Sequence, residues 1–226
     1  MPRTVIVGDV HGCRAELEAL LAAVAFGAGD RLVMVGDLVA RGPDPAGTID
    51  LLTSIGARAV RGNHEDRVLR WRRRRHRPLG PAHRAVVAAL QERHWAYLEA
   101  TPLWLDLPEH GVRVVHAGVV PGVPIDRQDA RTLMYVRCLG PSGKPLEERG
   151  DALWGARYAG PPHVVFGHNA MPEPQIHPHA TGIDTGVVYG NRLTAMVLAE
   201  GSEPPPLADR AAVLVSVRAR RAYAET

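Results

Sequence analysis

Aromatic side chains are scarce in this chain, at 5% of 226 residues, so its core must be filled mainly by valine, leucine, alanine and isoleucine. Cysteine is nearly absent. Two residues, Cys13 and Cys138, cannot staple a chain of this length, which excludes a disulfide framework and fits a reducing compartment. Long apolar runs are missing as well. The stretch Thr4-Val5-Ile6-Val7 is too short for a signal-peptide core, and no segment approaches the length that spans a bilayer. The expectation is a cytoplasmic protein with no membrane partner and no obligate protein partner. No internal repeat occurs. The run Pro204-Pro205-Pro206 is followed by only about twenty residues, too few for a second core, so one domain over 1–226 is expected.

What is present is ordinary for a globular chain: 46% hydrophobic and 23% charged residues. Net charge is +3 and the pI is near 9.2, which suits an anionic substrate or partner. Short Val-rich runs recur at Thr4–Val7, Leu32–Val35, Ala57–Val60, Val112–Val115 and Val164–Phe166, each closed by a turn residue, as buried strands are. Cys13–Phe26 has helical apolar spacing and stops at Gly27, and Ala46–Ile55 stops at Gly56. A longer helical stretch, His64–Ala100, is broken at Pro78-Leu79-Gly80-Pro81 and reads as a helical insertion over about 66–101. Later strands are expected at Leu193–Ala199 and Ala211–Val217. Alternating strand and helix predicts an α/β fold.

Chemistry-bearing residues gather at the ends of the apolar runs. The first ends in Gly8-Asp9-Val10-His11-Gly12 and the second in Gly36-Asp37-Leu38-Val39-Ala40-Arg41-Gly42. The third, fourth and fifth end in Gly62-Asn63-His64-Glu65, His116-Ala117-Gly118 and Gly167-His168-Asn169. Ligands of α/β sheets bind beyond the carboxyl ends of the strands, so these residues should share one rim. Carboxylate, amide and imidazole donors without a thiolate suit manganese, iron or zinc. Six candidate ligands are too many for one ion with open positions. They suit two ions sharing a bridging carboxylate, an arrangement that activates a water and polarises a phosphoryl group.

These blocks resemble the signature of the phosphoprotein-phosphatase-type, calcineurin-like metallophosphoesterases over about residues 4–199. The resemblance implies a β-sandwich flanked by helices. By position it implies that Asp9, His11 and Asp37 hold one metal, and that Asp37 bridges to a second held by Asn63, His116 and His168. Manganese is the expected ion, with iron, zinc, cobalt or magnesium as alternatives. His64 would protonate the leaving oxygen, and Arg41 and Arg137 would clamp the phosphate.

One departure informs substrate. Protein phosphatases of this family carry an Asp where this chain has Ala40, and that carboxylate orients the leaving-group histidine. Its absence matters less for an anhydride, whose leaving phosphate needs little protonation, than for a serine ester. Gly36 to Pro43 and Ile183-Asp184-Thr185-Gly186 are similar to the symmetrical bis(5'-nucleosyl)-tetraphosphatase subfamily. The expected enzyme is therefore a phosphoric anhydride hydrolase that splits diadenosine tetraphosphate into two ADP. A serine/threonine phosphatase or broad phosphomonoesterase is the alternative, favoured by Glu65. A non-catalytic scaffold is a third reading, opposed by the full ligand set.

Arg70 to Arg77 is the densest charge in the chain. It reads as a solvated helix face or as a basic wall, with Arg72 and Arg74 as candidates to hold the polyphosphate or the 5' end of an RNA. His177 and His179 are weaker pocket candidates, and Asp184 is a candidate to support a ligand histidine. His76, His83, His94, His110 and His163 lie outside every block and read as structural, and Cys13 reads as helix packing.

Overall fold

The computed structural model describes residues 2–74 and 78–225. Strand β1 (Arg3–Val7) leads through helix α1 (Arg14–Ala23) to β2 (Arg31–Met34), and on through α2 (Pro45–Ile55) to β3 (Arg58–Ala59). Three helices follow: α3 (Asn63–Arg74), α4 (Pro81–Ala89) and α5 (Glu92–Glu99). Next come β4 (Trp104–Leu107), β5 (Val112–Val115), α6 (Ala130–Tyr135) and the short hairpin β6 (Cys138–Leu139) and β7 (Pro145–Leu146). The chain closes with β8 (His163–Phe166), β9 (Gln175–Ile176), β10 (Ala180–Gly182), β11 (Arg192–Ala199) and β12 (Leu214–Arg218).

Among the described residues, ten strands form two five-stranded sheets, in the orders β12-β11-β1-β2-β3 and β4-β5-β8-β10-β9. Within the first, β1, β2 and β3 run parallel; within the second, β5, β8 and β10 do. Period-2 alternation assigns the faces. Ile6 and Val33 point between the sheets, where they meet Leu105, Val112, Val114 and Val165. Val5, Val7 and Met34 point the other way and pack on Leu17 and Leu20 of α1 and on Ile49 and Leu52 of α2. Val115, Val164 and Phe166 cover the far face of the second sheet with Leu133 and Trp154. The architecture is a sandwich with cover on both outer faces. Each fully buried Leu or Ile contributes about 1.5–3 kcal/mol.

The five early strands and the β11 region stand where the periodicity predicts them. Several details differ. Helix α1 ends at Ala23, before the predicted stop at Gly27, because Ala25 has left-handed backbone (φ 48°). Strand β3 keeps only two residues in its ladder. The predicted helical stretch has a second break at Leu90-Gln91, where Gln91 and His94 cap α5 reciprocally. The predicted strand Ala211–Val217 is a 3₁₀ turn up to Val213 and a strand only from Leu214. Strands β4, β9 and β10 and the β6–β7 hairpin were not expected: Ala-Thr-Gly at β10 has no apolar run to announce it. Among the described residues, no helix is long and apolar enough to cross a membrane.

Candidate metal centre

The parallel strands aim their carboxyl ends at one rim, and the loops there fold sharply. His11, Asp37, Ala40, Arg41 and His168 all adopt left-handed backbone, with φ between 48° and 73°. For non-glycine residues this costs about 1–2 kcal/mol each and marks a site whose geometry the surroundings impose. Two glycines allow the close approach. A Cβ on Gly167 would collide with Asp9 Oδ1, and one on Gly62 would collide with Asp37 Oδ1. Glu65 anchors the second loop from below. Its buried carboxylate accepts the N–H groups of Asp37 (2.8 Å), Leu38 (2.9 Å), Val39 (3.2 Å) and Gly62 (2.9 Å). Burial pushes Glu65 up to about 7, with Asp37 adding to the shift, while its N–H partners pull against it.

The rim brings Asp9, His11, Asp37, Asn63, His64, His116 and His168 together from five separate segments of the chain. Potential ligand atoms of His11, Asp37 and His64 lie within 4.8 Å of one another, as do those of Asp37, His116 and His168. Asp37 belongs to both groups. Its Oδ2 stands 3.8 Å from His11 Nε2, 3.5 Å from His116 Nε2 and 3.9 Å from His64 Nε2. Its Oδ1 accepts the His64 N–H (3.0 Å) at the start of α3, where a helix favours negative charge.

Backbone carbonyls fix the imidazole tautomers. His116 Nδ1 donates to Val35 O at 2.9 Å, His11 Nδ1 to Val39 O at 3.3 Å, and His168 Nε2 to Tyr135 O at 3.2 Å. The other nitrogen of each ring therefore presents a lone pair to the rim. Two of these lone pairs face another acceptor, Asn63 Oδ1, at 3.0 Å from His116 Nε2 and 2.9 Å from His168 Nδ1. Acceptors aimed at one another repel unless a cation lies among them. Asp9 adds to this: Oδ2 accepts the His168 N–H (3.0 Å), but Oδ1 is buried with no hydrogen-bond partner. The donor set thus fits hard-to-borderline divalent ions.

Electrostatics carry the same message. Burial raises Asp9 well above the carboxylate range, and its neighbours Asp184 and Asp37 raise it further. Burial raises Asp37 to about 7 and lowers His11 to about 3 and His116 to about 4. Burial also drives His64 and His168 well below the usual histidine range. Neutral imidazoles are the ligand state of a metal site, and carboxylates crowded this closely repel one another until a cation neutralises them.

The arginines divide. Arg41 bonds the Tyr189 hydroxyl and lies 5.5 Å from the centre of its ring. Arg137 donates through Nη1 to Glu147 O (2.8 Å), and its buried Nε has no partner; both Arg41 and Arg137 lower the Asp37 pKa. Arg72 is engaged elsewhere. Its guanidinium pairs with Glu92 (2.6 Å) and Glu99 (3.5 Å) and lies 4.8 Å from the Trp95 ring centre, so it ties α3 to α5. To hold a substrate it would have to leave those partners. Arg74 is exposed, and Arg75, His76 and Arg77 lie outside the described residues.

The pocket expectation for His177 and His179 needs correction. Both precede β10, which runs parallel to β8, so they sit at the opposite end of the sheet from His168. There His177 packs over Gly155 and His179 over Gly160. Asp184 hydrogen-bonds no histidine among the described residues; its Oδ1 accepts the Gly186 N–H (3.0 Å), and the carboxyl lies against Asp9. Sequence reasoning missed two neighbours of the site. Tyr189 reaches Arg41, a contact across 148 positions that no local pattern announces. His83, expected to be structural, stacks on His64 with centroids 4.9 Å apart and ring planes 9° apart. Burial, with Arg67 and Arg41 nearby, lowers His83 to about 4. His94, His110 and His163 hold structural hydrogen bonds, to Asp50 (2.9 Å), Thr4 (2.8 Å) and Thr181 (3.0 Å) respectively. Cys13 is fully buried, its thiol pushed up to about 12 by burial.

A sandwich with such a rim is the architecture of a metal-dependent phosphoesterase, and comparison with known proteins agrees. The sequence profile of calcineurin-like phosphoesterases matches residues 2–199, and the chain belongs to that family. It is 31% identical over 220 residues to the bis(5'-nucleosyl)-tetraphosphatase PrpE [asymmetrical] of Oceanobacillus iheyensis, covering 84% of this chain and 86% of that one. It is 28% identical over 222 residues to the protein of the same name from Bacillus mycoides, covering 84% and 88%. Among solved structures, a "putative diadenosine tetraphosphatase" superposes with a TM-score of 0.83 at 37% identity, over 96% of this chain and 93% of the other. A serine/threonine phosphatase from Saccharomyces cerevisiae shares the fold, with a TM-score of 0.62 at 15% identity.

Proposed function

We propose that this chain hydrolyses dinucleoside polyphosphates, diadenosine tetraphosphate above all, in the cytoplasm and with two manganese ions. Asp9, His11 and Asp37 would hold one ion, and Asp37, Asn63, His116 and His168 the other. Such a pair supplies Lewis-acid polarisation of a phosphoryl oxygen and an acidified water. Arg41 and Arg137 present guanidinium donors to the non-bridging oxygens, with Arg41 held by Tyr189. Arg74 and its neighbours would meet the outer phosphates or an RNA 5' end. His64 hands a proton to the leaving oxygen.

One observation carries the choice of an anhydride. His64 Nδ1 is buried and has no hydrogen-bond partner, and position 40 holds only the methyl group of a buried Ala40. A leaving-group acid without a carboxylate behind it suits a departing phosphate better than a serine alkoxide. The names of the relatives support the same substrate class. The resemblance of Gly36 to Pro43 argues for a symmetrical cut to two ADP, while the relatives' name argues for an asymmetrical cut to AMP and ATP.

The test is turnover of diadenosine tetraphosphate against a phosphoserine peptide and para-nitrophenyl phosphate, with manganese present and the nucleotides separated by ion exchange. The dinucleotide is expected to have the highest kcat/KM. Two ADP would establish the symmetrical cut, AMP with ATP the other. Preference for the phosphopeptide would make the chain a protein phosphatase instead.

A further inference from the structure

We propose that His83 is a positioning residue for His64, holding through ring stacking the imidazole that a carboxylate at position 40 would otherwise hold through a hydrogen bond. The proposal rests on His64 being the leaving-group acid. His64 is 5% exposed, yet its Nδ1 has no hydrogen-bond partner, so no hydrogen bond to that nitrogen fixes the rotation of its ring. The Cβ–Cγ torsion of a histidine is broad and roughly two-fold, so an imidazole without such a bond can turn its nitrogens away from a leaving oxygen. Packing must do the fixing.

Two rings supply it. His11 meets His64 edge-on, with centroids 5.0 Å apart and planes at 88°. His83 covers a face, nearly parallel at 9° and 4.9 Å. A T-shaped contact and a parallel contact on one imidazole leave it little freedom about the torsion. The backbone sets His83 firmly in place: Gly80 and Pro81 start α4, and the His83 N–H bonds Gly80 O at 3.1 Å in its first turn. The buried Nε2 of His83 is not committed to a hydrogen bond elsewhere. His83 is half-buried, and leaving its buried nitrogen unsatisfied costs stability. Helix α4 therefore delivers a part of the site from within the helical insertion.

The experiment compares wild type, His83→Ala, His83→Phe and His64→Asn, each manganese-loaded, on phosphomonoesters whose leaving groups run from nitrophenolate to simple alkoxides, and on diadenosine tetraphosphate. His83→Ala is expected to lower kcat about tenfold on alkyl phosphates, by loss of orientation, with KM nearly constant and little change on nitrophenyl phosphate. His83→Phe keeps the flat face and should retain most alkyl-phosphate turnover. Adding Ala40→Asp to His83→Ala should restore much of the loss. Metal content and Tm are measured for every variant, and His83→Phe remains informative if His83→Ala folds poorly. An equal loss on all leaving groups, or equal loss in the Phe and Ala variants, overturns the proposal. If His64→Asn itself shows no dependence on the leaving group, the assignment of His64 fails, and the role of His83 falls with it.

Discussion

Position 40 joins one residue to a class of substrate. Ala40 is buried with φ 73°, a conformation that Asp tolerates better than most residues. Ala40→Asp should raise alkyl-phosphate or phosphopeptide turnover relative to dinucleotide turnover. A tenfold change in that ratio equals about 1.4 kcal/mol of selective transition-state stabilisation. It is read as kcat/KM for both substrates in both proteins at one pH; a flat ratio in a folded, metal-loaded variant would sink the idea. Asp37 and Glu65 are the other single residues on which much depends. Because Asp37 is shared between both ligand groups, Asp37→Asn should lose most activity and should retain less metal after dialysis, measured by atomic emission. Glu65→Gln turns an amide NH₂ toward backbone N–H donors that a carboxylate now satisfies. A loss of about 1–3 kcal/mol in urea unfolding is expected, with reduced metal retention.

Among the elements, α3 joins chemistry to structure. Its first turn carries Asn63, His64 and Glu65, while its last turn carries Arg72, Arg73 and Arg74. The ion pairs of Arg72 with Glu92 and Glu99 are partly exposed and worth little each, and the Trp95 face adds a cation–π contact. Arg72→Ala should therefore cost about 1 kcal/mol of stability with little change in KM for the dinucleotide. Replacing Arg73 and Arg74 with Ser should raise that KM while sparing para-nitrophenyl phosphate. Thermal denaturation and steady-state kinetics on the two variants separate the two roles. A KM rise confined to Arg72→Ala would reverse them.

At the scale of the whole molecule, the rim packs acceptor against acceptor, so the ions should matter for stability as well as chemistry. With manganese at a hundred times Kd, each site adds about 2.7 kcal/mol. Chelation followed by dialysis is expected to lower Tm, and re-addition to restore it; an unchanged Tm would argue against the site. In the second sheet, the half-buried His163 faces Arg210 and His179, and burial first, then Arg210 and His179, lowers it to about 3. A depressed histidine contributes stability that is present above its unfolded value of about 6.5 and is lost as pH falls toward 3. His163→Gln should flatten the fall in urea midpoint between pH 6.5 and 4, relative to wild type. An identical acid limb would assign that fall to other groups.

Strand ends and the residues placed on them were legible in the order of the amino acids. Val-rich runs closed by Gly-Asp, Gly-Asn-His or Gly-His are local patterns, and parallel strands carry such ends to one rim whatever the loops do between them. The stop of α2 at Gly56 was legible for the same reason, since its φ of 72° suits glycine. The rest came from packing between distant segments. Strand β10 exists because its backbone pairs with β8 and β9, and its Ala-Thr-Gly carries no pattern of its own. Arg72 of α3 is tied to α5 because Glu92 and Trp95 face it there, a contact that charge density alone does not announce. His83 meets His64, and Tyr189 meets Arg41, across 19 and 148 positions, through the packing of whole elements. Periodicity and motif spacing are short-range signals, and the partners that complete this site are brought together by long-range contact.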